Sequence, residues 1–267
     1  MSDNISAFIQ QAPPVSRTLA GAAFILSFAS QALGLIHPRF LVYHAPLVWK
    51  LSRPELWRPL TSFFLTSPQL GIIMDTFFLY RYASDCERTK FTRPGDFLVF
   101  LIFCGSVIVA LNSAFIGGMV FCQALILALA YYWTALEDSS KKVSFFIATF
   151  PVKFLPLVML AMTFVQAGTG AALVEATGLV AAHLYLFLTD IYPRLGGGRN
   201  FIVTPNWIHA LFDTPGDNTS GPRPRAPTGP SIRPVPTAPG TATSGRGIFA
   251  PANSQWTHRG QGHRLGS

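Results

Sequence analysis

Three ionisable residues stand in otherwise apolar runs: Asp75, Glu175 and His183. A charged group in lipid is costly, so each must be neutral, paired or within reach of water, and each is a candidate for function. Together they could form the proton or substrate site of a small-solute carrier. Against that stands the absence of an evident internal inverted repeat, from which many carriers are built. His183 could instead act as a general base, which needs a serine nucleophile within reach. It also reads as a structural histidine, one and a half to two turns before Asp190. Asp75 is expected to face the interior of a bundle or cavity rather than acyl chains. The six histidines and three cysteines are scattered without metal-ligand spacing, so no metal and no other cofactor is expected.

Two further groupings have chemical character. Glu175, Gly178, Ala182, Tyr185 and Thr189 fall within about 80° of one another on a helical wheel. They form a seam of small and polar residues, suited to close helix packing or to the wall of a hydrated cavity. Trp57 and Arg58 precede Pro59 and an apolar run. Trp favours the water-lipid interface, and Arg can reach headgroups or bind carbonyl groups.

The elements that must hold these residues are membrane helices. Of 267 residues, 50% are hydrophobic and 12% charged, and mean hydropathy is +0.38, values that suit lipid-facing surface. The formal charge of +8 would suggest nucleic acid. From Arg194 onward, however, eight Arg against Asp213 and Asp217 leave +6 in the tail and only +2 before it. A basic tail argues against a nucleic-acid-binding core. Cys86, Cys104 and Cys122 are expected to be free thiols.

Apolar runs predict six spans, at 18–36, 61–82 (kinked near Pro68), 97–111, 119–136, 143–165 and 173–192. The fifth is broken by Pro151, Lys153 and Pro156, leaving a clean apolar part of only about 12 residues, or roughly 18 Å of helix. Residues 1–16 read as an amphipathic lead, 17–212 as the membrane domain, and 213–267, rich in Pro, Gly, Ser and Thr, as a disordered tail. Six spans place both ends on one side. Arg88, Lys90, Arg93, Lys141, Lys142, Arg194 and Arg199 make that side cytosolic, although Arg39, Lys50, Arg53 and Arg58 in the first loop pull the other way.

Several ordered motifs resemble the Derlin family: residues 57–61 (WRPLT) in the first loop, 178–187 (GLVAAHLYLF) with Tyr192 and Pro193 in the last span, then 197–201 (GGRNF) and Thr204 with Pro205. The resemblance implies an all-α, rhomboid-like six-helix bundle of the endoplasmic reticulum membrane that has lost protease activity. Its implied role is a non-catalytic one in endoplasmic-reticulum-associated degradation, helping misfolded proteins cross to the cytosol for ubiquitination and proteasomal destruction. Implied partners are a membrane ubiquitin-ligase complex, misfolded clients, and further copies or relatives in an oligomer. Gly260, Gly262, Arg264, Leu265 and Gly266 are similar to the short motif that recruits the AAA ATPase unfoldase valosin-containing protein. The aromatic usual beside the first glycine is absent, and Arg259 stands there. An active rhomboid protease, the enzymatic alternative, needs a serine in the fourth span, typically in a Gly-x-Ser-Gly setting. This chain reads FIGGMV over 115–120, and Ser106 and Ser113 lie earlier, outside that context.

Overall fold

The computed structural model describes residues 13–48, 55–137, 141–145 and 148–196, with 202, 204, 205, 207 and 208. The tail and its C-terminal motif lie outside these residues, as do residues 1–12 of the expected lead.

Helix α1 (Pro14–Ser27) opens on Pro14, whose fixed φ suits a first turn. It therefore starts inside the expected lead and four residues before the predicted span. Its free amide groups are met from another element. The buried Glu87 carboxylate accepts from the Val15 amide (3.2 Å), the Ser16 amide (2.8 Å) and the Ser16 hydroxyl (2.5 Å). A carboxylate placed there also meets the positive end of the helix dipole. A π turn over Phe28–Ala32 ends the segment.

The first loop holds two short helices, α2 (Ala45–Val48) and α3 (Arg58–Thr61), and α4 then runs Leu70–Thr89. The predicted second span is thus broken rather than kinked. Pro68 cannot donate to a helix and disfavours helical backbone at Ser67, and Gln69 holds a φ of +58°. The open backbone is satisfied by the end of α1. Ser27 Oγ donates to the Phe64 carbonyl and accepts from the Thr66 amide (both 2.9 Å), and Gln31 Nε2 donates to the Thr66 carbonyl (2.8 Å). Non-helical backbone persists at membrane depth only where protein supplies such bonds.

Helix α5 (Pro94–Leu111) continues as a π turn over Asn112–Ile116 and stops at Gly117, φ +77°. Helix α6 (Cys122–Ala135) is buried all round, with every residue from Ala124 to Ala130 inside the core. A helix apolar on all faces belongs at the centre of a bundle, and the others pack about it. Cys86, Cys104 and Cys122 are free and buried.

The predicted fifth span begins instead with a hairpin. Strands β1 (Lys142–Phe145) and β2 (Ala148–Pro151) pair antiparallel with Lys142 opposite Pro151 and Phe145 opposite Ala148. Helix α7 (Leu155–Leu186) follows, its backbone broken once, at Gly168 (φ 81°, ψ −174°). A π turn (Phe187–Ile191) and α8 (Tyr192–Gly196) complete it. Among the described residues two helical stretches, Pro94–Ile116 and Val152–Arg194, are long and apolar enough to cross a membrane. The second, at 43 residues, is about twice the length one crossing needs.

A polar clamp joins α4 to the end of α6. Glu137 accepts from Lys141 and from Lys90 (2.6 Å), and Lys90 also donates to the Leu136 carbonyl (3.0 Å). The Lys141 and Lys90 hydrogen bonds hold the Glu137 carboxyl below the usual carboxylate range.

Candidate functional site

The first loop is locked by Arg58. Its side chain is buried; Nη1 donates to the carbonyls of Arg39 (2.8 Å) and Val42 (3.0 Å), and Nε pairs with Glu55. Thr61 Oγ1 adds a bond to the Leu41 carbonyl (2.9 Å). Five donors in a planar fork let one guanidinium satisfy both carbonyl groups and a carboxylate. Trp57, next to it, is 54% exposed. The loop in turn rests on the connection between α5 and α6, where the Tyr43 amide donates to the Met119 carbonyl (2.8 Å) and the Phe121 amide to the Ser62 carbonyl (3.0 Å).

Beneath this loop lies a polar cleft. One cavity of about 410 Å³ is walled by α4, α6 and residues on both sides of the Gly168 break, among them Asp75, Gln123, Thr163, Gln166 and Glu175. A second, of about 360 Å³, shares Ser67, Pro68, Gln123 and Glu175 with it. Asp75 therefore faces a cavity. Its carboxylate accepts from the Ser67 amide (2.8 Å), and Gln123 Nε2 donates to the Ser67 hydroxyl (2.9 Å). Glu175 is 3% exposed, and its Oε2 has no hydrogen-bond partner. A buried polar atom without a partner is unusual and calls for an explanation.

The seam in the second half of α7 divides by position. Gly178 abuts the backbone of α6, and a Cβ there would strike the Ala124 carbonyl. Ala182 is fully buried, and the Tyr185 ring lies edge-on to Phe100 (4.9 Å) and Tyr132 (5.7 Å). Thr189 Oγ1 donates back to the Tyr185 carbonyl (2.8 Å). Only Glu175 of this seam lines the cleft. His183 is exposed, its Nδ1 2.7 Å from the Tyr131 hydroxyl, while Asp190 pairs with Arg194 (2.8 Å). The cleft thus brings Asp75 and Glu175 together and leaves His183 out.

Sequence reasoning passed over Gln123, Ser67, Thr163 and Gln166. Gln123 was the accessible signal, an amide inside the apolar run 119–136. It also passed over Asn112, whose Nδ2 donates to the Thr177 hydroxyl (3.0 Å) across the bundle.

Ahead of α6, Gly118 packs closely against the side chains of Asn112 and Val174. A Cβ at Gly118 would come within 2.5 Å of Asn112 Oδ1 and 2.6 Å of Val174. Ser113 Oγ is bonded to the Tyr43 hydroxyl and the Val109 carbonyl, and Ser106 Oγ to the Phe103 carbonyl.

A helical membrane protein with an amide- and carboxyl-lined cleft and an arginine-locked first loop is the class that fold and site define. The chain belongs to the Der1-like family, whose model matches residues 12–206. It is 31% identical over 230 residues to Derlin-1 of Homo sapiens, covering 83% of this chain and 87% of that protein. Derlin-2.1 of Zea mays is 29% identical over 226 residues, covering 79% and 88%. Membership points to the endoplasmic reticulum membrane and to a role in endoplasmic-reticulum-associated degradation.

Proposed function

We propose that this chain is a non-catalytic part of the machinery that moves misfolded proteins out of the endoplasmic reticulum, and that the cleft between α4, α6 and α7 is the path they take. The cleft carries the reading. Two adjoining cavities in an otherwise apolar bundle offer hydroxyl, amide and carboxyl groups to a passing chain, whose own peptide groups cost several kcal/mol each when unbonded in hydrocarbon. Helix α6 spans only about 21 Å at 1.5 Å per residue, against a hydrocarbon layer of roughly 30 Å, which favours a thinned bilayer beside it. Extraction force comes from outside, from an AAA ATPase held by the C-terminal motif and a ubiquitin ligase in the same membrane.

A six-span topology with both termini cytosolic suits the same geometry, since Val152–Arg194 is long enough for two crossings with a break at Gly168. The crowding at Gly118 and the engagement of Ser113 and His183 with other groups favour the non-catalytic reading over a protease.

The test is the half-life of a misfolded lumenal client in cells lacking this chain. It should lengthen, and re-expression of the wild type should restore it. An unchanged half-life on removal overturns the proposal.

A further inference from the structure

Every methionine after Met1 lines the cleft: Met74, Met159 and Met162 the larger cavity and Met119 the smaller. Met74 comes from α4, Met119 from the α5–α6 connection, and Met159 and Met162 from the first half of α7. Four residues scattered over the sequence thus converge on one feature. Unbranched, polarizable thioethers re-pack against differing shapes, which is why such walls suit binders of many ligands.

The cleft is acidic in composition. Asp75 and the buried, half-orphaned Glu175 both face it, and among the described residues lining either cavity there is no Lys, Arg or His. The amides of Gln123 and Gln166 line the same cavity. A carboxyl in such a site is held in its ionised form by a cation that comes to pair with it. Lys and Arg carry that cation on an aliphatic stem that itself seeks apolar cover.

Resting on the client-path reading above, we infer that the cleft selects segments in which a Lys or Arg is set among apolar residues. The carboxyl pair takes the cationic head, and the methionines cover the stem and its neighbours. Acidic segments of equal hydropathy gain nothing of this kind, because they bring no cation to pair with the two carboxyl groups.

The full chain, made with the diazirine analogue photo-methionine in place of methionine, reports from the cleft at four positions. It is reconstituted in liposomes with a leucine-alanine segment bearing one central Lys, Gln or Glu. Crosslinks are mapped to residues 74, 119, 159 and 162 by mass spectrometry. The Lys segment should crosslink about tenfold more than the Gln segment, the margin of a charge-assisted over a neutral hydrogen bond, and the Glu segment no more than the Gln segment. Asp75→Asn and Glu175→Gln should each bring the ratio of Lys to Gln yield toward one. Equal yields for Lys and Gln in the wild type, or a Lys preference surviving both substitutions, overturn the inference and leave the client path standing. Absence of crosslinks from all three segments overturns the path itself.

Discussion

At Arg58 one side chain settles the position of a whole loop. Truncation to Ala removes the donors from two backbone carbonyl groups and leaves Glu55 without its cation. Losing charge-assisted bonds in a buried setting costs about 2–4 kcal/mol. We expect Arg58→Ala to lower thermal stability in detergent and to slow client degradation without blocking membrane insertion, with Arg58→Lys only partly restoring it because an ammonium lacks the fork. Wild-type degradation in Arg58→Ala would make the loop a mere anchor. Gly178 gives the complementary case, in which nothing can be added. A side chain there meets backbone, which does not swing aside, so Gly178→Val should cost about 3 kcal/mol or more through overpacking, read as a fall in the unfolding midpoint. The Arg58 contacts were foreshadowed by the residue type, since a buried guanidinium beside loop backbone has few other acceptors. The close approach at Gly178 was equally legible, because small residues at helical spacing leave room for a neighbour. Glu87 was not: it sits in a polar segment among Arg88 and Lys90, and only the fold reveals that it caps α1, more than seventy residues earlier.

At the level of elements, that cap and the Glu137 clamp hold the bundle at one end. Glu87→Ala strips the acceptor from two amides and a hydroxyl, and a lost N-terminal cap costs about 1–2 kcal/mol. Faster hydrogen exchange confined to the first turn of α1 is the expected signature. Glu137 makes a pH prediction with a definite sign. Its folded-state pKa is depressed, so its contribution is present above the unfolded carboxylate value and is lost as pH falls through the lower folded one. The unfolding midpoints of wild type and Glu137→Gln should therefore differ at neutral pH and converge as pH drops below the usual carboxylate range; a constant gap would deny the clamp its ionic character. Element limits were the less legible part of the fold. The runs at 97–111 and 119–136 were read to within about three residues of α5 and α6, while the π turn that carries the first on to Ile116 left no mark in the apolar pattern. Two apolar stretches deceived. Residues 61–69 open the predicted second span, yet backbone groups of Phe64 and Thr66 bond to Ser27 and Gln31, a tertiary choice no periodicity records. Residues 143–151 are rich in β-branched and aromatic residues, and there a hairpin won over a span.

For the whole molecule, the contacts sort the connections into two ends. Glu87 with Val15 and Ser16, Asp96 with Thr204 (2.6 Å), and Glu137 with Lys90 and Lys141 gather the start of α1, the α4–α5 turn, the hairpin and residue 204 at one end. The first loop meets the α5–α6 connection at the other. Two of the four first-loop cations, both among the described residues, are engaged within the protein. Arg58 is buried and paired with Glu55, and Arg39 lies over the Phe40 ring at 5.0 Å. Arg88, Lys90, Arg93, Lys141 and Lys142, together at the opposite end, are expected to set the orientation as the larger basic cluster. The three native cysteines are buried, so a single introduced thiol can report the orientation. In sealed microsomes a membrane-impermeant maleimide should label Thr92→Cys, exposed at the lysine-bearing end, at once. Leu56→Cys, at a position 70% exposed in the first loop, should react only after the membrane is opened. The reverse order would place the basic end in the lumen. The tail would then face away from any cytosolic ATPase, and the extraction mechanism would fail with the topology. Sugar on Asn218, within the Asn218-Thr219-Ser220 sequon, would report the same inversion independently.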